Sequence, residues 1–137
     1  MSRLTLLLGL ALVVSGCSQI ELSPQGDPAR VLTGRIETGK ELALPADAVV
    51  VVRVVSVTGG GQPPQVLGSQ TLQNPGSTPV AFRIEYRAED EVLRRGLNIE
   101  GRISYGGKVR FYNVDQYVVT LATASSEHDV LLNPAGP

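Results

Sequence analysis

One cysteine, one histidine, no tryptophan and only two phenylalanines leave this 137-residue chain short of the side chains that small-protein chemistry commonly uses. A single Cys excludes an internal disulfide, and one Cys with one His excludes the usual His/Cys zinc cages. Charge of one sign is not in excess either: 12 Lys+Arg stand against 13 Asp+Glu, a net of -1 at pH 7. A nucleic-acid binder needs a positive footprint to neutralise phosphates, so no nucleic-acid partner is expected. A GxGxxG fingerprint and a Lys-bearing phosphate loop are both missing; the glycines at 59–61 run into Pro63-Pro64, not into a helix. Glu89, Asp90 and Glu91 are the densest acids. They would point in different directions, and they suit a helix start better than a Ca²⁺ site. His128 sits between Glu127 and Asp129 and reads as a solvated surface residue. No metal, cofactor or small-molecule substrate is implied. The length allows one domain with an aliphatic core.

What the chain does have is an apolar start. Arg3 precedes an uninterrupted apolar-rich run at residues 4–14. Fully helical at about 1.5 Å per residue, residues 4–16 would reach roughly 20 Å. A spanning helix has to cross about 30 Å of hydrocarbon, so the run reads as a targeting peptide. It ends in Val14, Ser15, Gly16 and Cys17. These four residues resemble the bacterial lipobox: an aliphatic residue, a small one, Gly or Ala, then Cys. The resemblance implies cleavage before Cys17, a diacylglycerol thioether on its sulfur and an acyl amide on the new amino group. Small residues fit a protease groove, and a thiol is the nucleophile that accepts the lipid. The alternative is an ordinary secretory peptide with a chance cysteine beside the cut. By resemblance to lipoprotein sorting rules, Ser18 in place of an inner-membrane Asp implies an outer-membrane anchor with the domain in the periplasm. One acyl chain binds only marginally, at about 10⁴ M⁻¹, while each buried methylene adds about 0.8 kcal/mol, so three chains would hold permanently. An acylated Cys17 cannot also serve as a catalytic thiol. With only carboxylates left for acid–base work, the chain does not read as an enzyme.

Four segments follow: a lipoprotein signal peptide at 1–16, a lipidated flexible tether at 17–29, a β-sandwich domain at 30–124 and a polar C-terminal tail at 125–137. Residues 18–29 carry two prolines and one glycine with no periodic apolar face. They would reach roughly 40 Å at about 3.3 Å per residue. From Arg30 onward the pattern is all-β. Residues 30–37 alternate, with Leu32 and Ile36 against Thr33 and Arg35; residues 48–58 are dominated by valine; residues 65–73 form a weaker strand. Val80, Phe82, Ile84 and Tyr86 share one face of a strand over 79–86, and Leu97, Ile99, Gly101, Ile103 and Tyr105 one face over 97–105. Gly106-Gly107 is a two-residue hairpin turn into 108–112, which places Val109 and Phe111 inward and Lys108, Arg110 and Tyr112 outward. A turn or bulge at 114–116 precedes a last strand at 117–124. Residues 88–96 read as one helical excursion, with acids at its start, Arg94 and Arg95 at its end and Gly96 as its stop. Glu91 and Arg95 have i,i+4 spacing. The tail is expected to be loosely attached, with 130–132 either packing or adding a short edge strand. The fold class is a small β-sandwich of about seven mostly antiparallel strands with one short helical excursion.

The valine strand supplies the candidate binding residues. Val49, Val51, Val55 and Val57 share a parity with Arg53, while Val50, Val52 and Val54 take the other. A strand buried on one face needs one apolar row. The second row is either covered by the helical excursion or a loop, or is an exposed stripe that receives a partner's segment beside unpaired edge amides. Arg53 then either orients a partner carboxylate or lays its stem over the valines. Arg83, Glu85, Glu100 and Arg102 suit exposed cross-strand pairs of about 0–1 kcal/mol. Tyr112, beside Arg110, is a recognition candidate of the type found at interfaces.

Residues 33–57 resemble the opening of the YscW/YbaY-like small lipoproteins: a strand with Thr-Gly, a charged turn, a Leu-Pro-x-Asp-Ala motif (Leu44, Pro45, Asp47, Ala48) and a valine-rich strand. Residues 68–86 resemble the middle of that family, with a Pro-preceded strand reading x-Phe-x-Ile-x-Tyr, and residues 96–119 its final strands. The resemblance spans residues 30–121 plus the lipobox. It implies a β-sandwich lipoprotein, and in one branch a pilotin that helps a type III secretion secretin localise or assemble. The partners so implied are outer-membrane lipid, through acylated Cys17, and a secretin subunit. The alternative is a general envelope lipoprotein of the YbaY kind, structural or stress-related, with no secretin partner.

Overall fold

The computed structural model describes residues 28–57 and 61–136. The expected signal peptide, Cys17, residues 18–27 of the expected tether and residues 58–60 lie outside the described residues. Ala29, placed in the tether by the sequence, already belongs to the first strand. Among the described residues nine strands and one helix follow in order: β1 (Ala29–Glu37), β2 (Val49–Ser56), β3 (Gln65–Gln73), β4 (Val80–Arg87), α1 (Asp90–Arg95), β5 (Leu97–Tyr105), β6 (Lys108–Tyr112), β7 (Tyr117–Val119), β8 (Glu127–Leu131) and β9 (Asn133–Pro134).

Two sheets face each other. The smaller has the order β4-β1-β8; the larger runs β3-β2-β5-β6-β9, with β7 also pairing β5. All pairs are antiparallel except β1 with β8. Strict alternation makes the interior. Leu32 and Ile36 of β1, Phe82, Ile84 and Tyr86 of β4, and Val130 of β8 meet Val50, Val52 and Val54 of β2 and Leu97, Ile99 and Ile103 of β5. Each such aliphatic side chain contributes about 1.5–3 kcal/mol relative to exposure. The small β-sandwich with a helical excursion is therefore the fold, and two strands from the tail, β8 and the two-residue β9, raise the count from about seven.

α1 is shorter than the expected 88–96. Its acidic start and basic end are in place, and Leu93 drops into the core. Gly96 stops it at φ 99° and ψ 143°, a positive-φ conformation open to glycine that is neither extended nor left-handed helical. The pair that forms is Arg94–Glu91 at 3.7 Å, one residue closer in sequence than the expected Glu91–Arg95. The Leu-Pro-x-Asp-Ala motif makes a turn in which Ala48 N–H donates to the Pro45 carbonyl at 3.0 Å. The Asp47 carboxylate reaches across to accept from Gly106 N–H at 2.9 Å. One acid thus ties the entry of β2 to the β5–β6 turn, where Gly106 and Gly107 have φ 62° and 75°, positive at both central positions as a tight primed turn requires.

Three expectations need correction. The polar tail is structural: β8 joins the smaller sheet and β9 the larger, so the sandwich extends through residue 134. Buried Leu132, whose N–H donates to the Glu37 carbonyl at 2.7 Å, turns the chain from one sheet to the other. His128 is 3% exposed, not solvated. The Thr123 carbonyl, 2.9 Å from Nε2, can only accept, so Nε2 donates there while the Tyr117 hydroxyl lies 3.1 Å from Nδ1. Burial pushes the Tyr117 phenol above its usual range, with the Asp129 charge adding to the effect. The acids beside His128 point outward and serve Arg35, with Asp129 at 3.2 Å and Glu127 at 3.8 Å. Finally, the last strand stops at Val119, because Thr123 N–H donates to the Thr120 carbonyl and Ser126 N–H to the Thr123 carbonyl in successive turns.

Candidate partner-binding face

Directly paired residues of neighbouring strands share a sheet face. On the outward face of the larger sheet this places Val49 between Gln73 and Ser104, Val51 between Thr71 and Arg102, Arg53 between Ser69 and Glu100, and Val55 between Val66 and Asn98. Ser104 continues to Val109, Arg102 to Tyr112 and Asn98 to Val118. Six of the eight large apolar residues exposed among the described ones belong to this sheet or its connections: Val57, Val66, Val109, Tyr112, Val114 and Val118. Val109 departs from expectation. The register shifts between Ile103 and Ser104, so Arg110 becomes the extra residue and Val109 turns outward, 42% exposed. Arg110 Nε donates to the Tyr105 carbonyl at 3.1 Å, and its guanidinium lies 5.1 Å from the Tyr105 ring centroid.

The candidates read from the valine strand separate. Val51, Arg53 and Tyr112 line one groove of about 320 Å³, with Asn98, Glu100, Arg102 and residues 113–116. Val49 is half-buried at its flank. Val55 is 3% exposed and offers no contact surface, while Val57 lies beyond β2 and is 42% exposed. β2 is paired on both sides, so it has no edge amides for an added strand. Arg53 is held by Glu100 across the strand pair, and Arg83 pairs with Glu85 along β4 at 2.9 Å. Glu85 and Glu100 thus sit on different sheets, which rules out one continuous charged row.

The wall of the groove arises from an interruption. One side of β5 is served by β6 and then by β7, and between them the chain lifts away at residues 113–116. Asn113 fills the gap: its Oδ1 accepts from Gly101 N–H at 2.9 Å and its Nδ2 donates to the Ile99 carbonyl at 2.9 Å. One side-chain amide replaces the backbone groups that a continuous strand would have supplied. The turn or bulge at 114–116 was legible in the sequence, but this role of Asn113 was not. Asn113→Ala is expected to cost about 1–3 kcal/mol by leaving two backbone groups unsatisfied, read as a lower midpoint in urea unfolding.

Among the described residues no three His, Cys, Asp or Glu side chains come together as a metal site. No helix of the described residues is long and apolar enough to cross a membrane. Fold and face together define a small β-sandwich with a grooved, part-apolar surface. The chain belongs to the YscW family, described as type III secretion system lipoprotein chaperone, whose model matches residues 27–132. In fold it is similar to an alternative pilotin from the type II secretion system of Vibrio cholerae, with a TM-score of 0.70 and 25% identity over 80% of this chain and 100% of that one. No curated protein matches it.

Proposed function

We propose that this chain is a lipid-anchored pilotin. Acylated Cys17 holds it at the outer membrane with the domain in the periplasm, and the grooved face receives a segment of a type III secretion secretin during localisation or assembly. The observation that carries this reading is the match to the lipoprotein-chaperone family across residues 27–132. The solved relative is a pilotin of a type II system, which supports piloting as the shared task. Within the family, the divergent last hairpin resembles that of the type III pilotin ExsB. The mechanism requires no catalysis. Tethering both partners to one membrane raises their effective concentration without any stronger contact.

Val51→Asp tests the face. Val51 is half-buried on the outward row, so the change costs about 1 kcal/mol of strand preference and leaves the inner row intact. Co-purification of the secretin with the lipoprotein is expected to fall severalfold, with the thermal midpoint lowered by only about 4–8 °C and the domain still folded. Collapse of the fold would instead make Val51 a core residue. Deleting the gene tests the role itself, and a secretin that still reaches and multimerises in the outer membrane would leave the general envelope lipoprotein standing in its place.

A further inference from the structure

On the outward face, Arg102 lies beside the Arg53–Glu100 pair without a carboxylate of its own. Arg95 and Arg110 also lack one among the described residues, but neither lines the groove. Arg30, Arg35, Arg53, Arg83 and Arg94 each hold a carboxylate. Arg102 is exposed and has no ion pair among the described residues; its cross-strand neighbours are Val51 and Tyr112. A cation between an aliphatic and an aromatic side chain, on the wall of a groove, is placed to take an anion that arrives on an apolar carrier. Four residues earlier on the same strand and face, the Asn98 side-chain oxygen is buried without a hydrogen-bond partner. A buried acceptor left unpaired is unfavourable, and a donor from an arriving chain would recover that loss. At ~3.3 Å per residue the two positions are about 13 Å apart. The Arg53–Glu100 pair lies between them and leaves no net charge in the middle of the groove.

We infer that the groove selects a protein segment bearing a side-chain carboxylate, which Arg102 reads, and that the Asn98 side chain, shielded in the free domain, turns to accept an N–H of the same segment. The inference rests on the pilotin reading for the identity of the partner, and on the groove alone for its chemistry. The span matches about four residues of an extended segment or about nine of a helical one. Apolar side chains beside the acid would lie against Val51 and Tyr112.

The test uses the full mature lipoprotein in detergent and two probes. The first is a set of overlapping peptides covering the C-terminal tail of the secretin encoded in the same genome, followed by fluorescence anisotropy. The second is a displayed library of randomised peptides. With the tightest secretin peptide, Arg102→Glu is expected to weaken binding at least about tenfold and Arg102→Gln by less. Changing the peptide's acid to Lys should weaken binding to the wild type and restore it to Arg102→Glu. The library should yield an acid-containing consensus on the wild type that is lost on Arg102→Glu. Matching thermal midpoints would show that both variants fold. If no secretin peptide binds but the library gives that consensus, the acid preference stands and the secretin partner is wrong. Binding that ignores the acid, or the same consensus on wild type and Arg102→Glu, overturns the inference.

Discussion

Gly34→Ala is expected to lower the stability of the domain by at least about 3 kcal/mol, the upper part of the usual overpacking range. A Cβ at this position would lie 1.9 Å from the His128 carbonyl oxygen and 2.7 Å from Phe82 Cζ. The Phe82 ring can turn aside. The carbonyl oxygen belongs to the backbone of β8, directly opposite Gly34 in the parallel register, and it cannot move without opening that pairing. Detachment would also uncover Val130 and Leu132, both 1% exposed, at about 1.5–3 kcal/mol each. Gly136→Ala is the control, since a Cβ there meets nothing within 4 Å. A urea midpoint for Gly34→Ala indistinguishable from wild type would show that β8 contributes little to the fold.

The second large effect concerns placement. Cys17→Ser is expected to move the protein from the membrane pellet to the periplasmic fraction and to abolish secretin delivery. Folding should be unaffected, since Cys17 precedes the family-matched span of residues 27–132. Serine offers no thiolate for the lipid transfer. Without acyl chains the remaining attraction to a bilayer is that of a nearly neutral protein, against about 0.8 kcal/mol for every buried methylene in the lipidated form. Fractionation with mass spectrometry of the amino-terminal peptide checks both parts. A wild-type peptide carrying an unmodified Cys17 would remove the anchor on which the proposed localisation depends.

The parts of the fold that were readable from the sequence share one property: their period is local. β4 and β5 bury every second residue, as does β2 as far as Val54, and that alternation is visible without knowing any partner. What escaped depends on distant neighbours. Glu127 and Asp129 make the end of the chain look solvated, yet they flank an inward His128 because Arg35, on a strand far away in sequence, takes up their charge. Val109 was misplaced by one residue of slippage at Arg110, which inverts everything before it in β6. The candidate site shows the same division. Parity along the valine strand found Val51 and Arg53, and Tyr112 was found by residue type; all three line one groove. That Arg53 is already paired with Glu100, that Val55 is covered, and that Asn113 completes the edge of β5 are matters of cross-strand register, which no window of sequence contains.

The passage of the chain from β8 to β9 has a consequence for how the grooved face behaves under load. β9 lies against β6, with Asn133 opposite Tyr112 and Ala135 N–H donating to the Arg110 carbonyl at 2.8 Å. The aromatic wall of the groove is therefore braced by a segment whose preceding residues are rooted in the opposite layer. A pull applied at Tyr112 is carried through that stitch into both layers at once, so the grooved face resists as part of the whole body and not as a free flap.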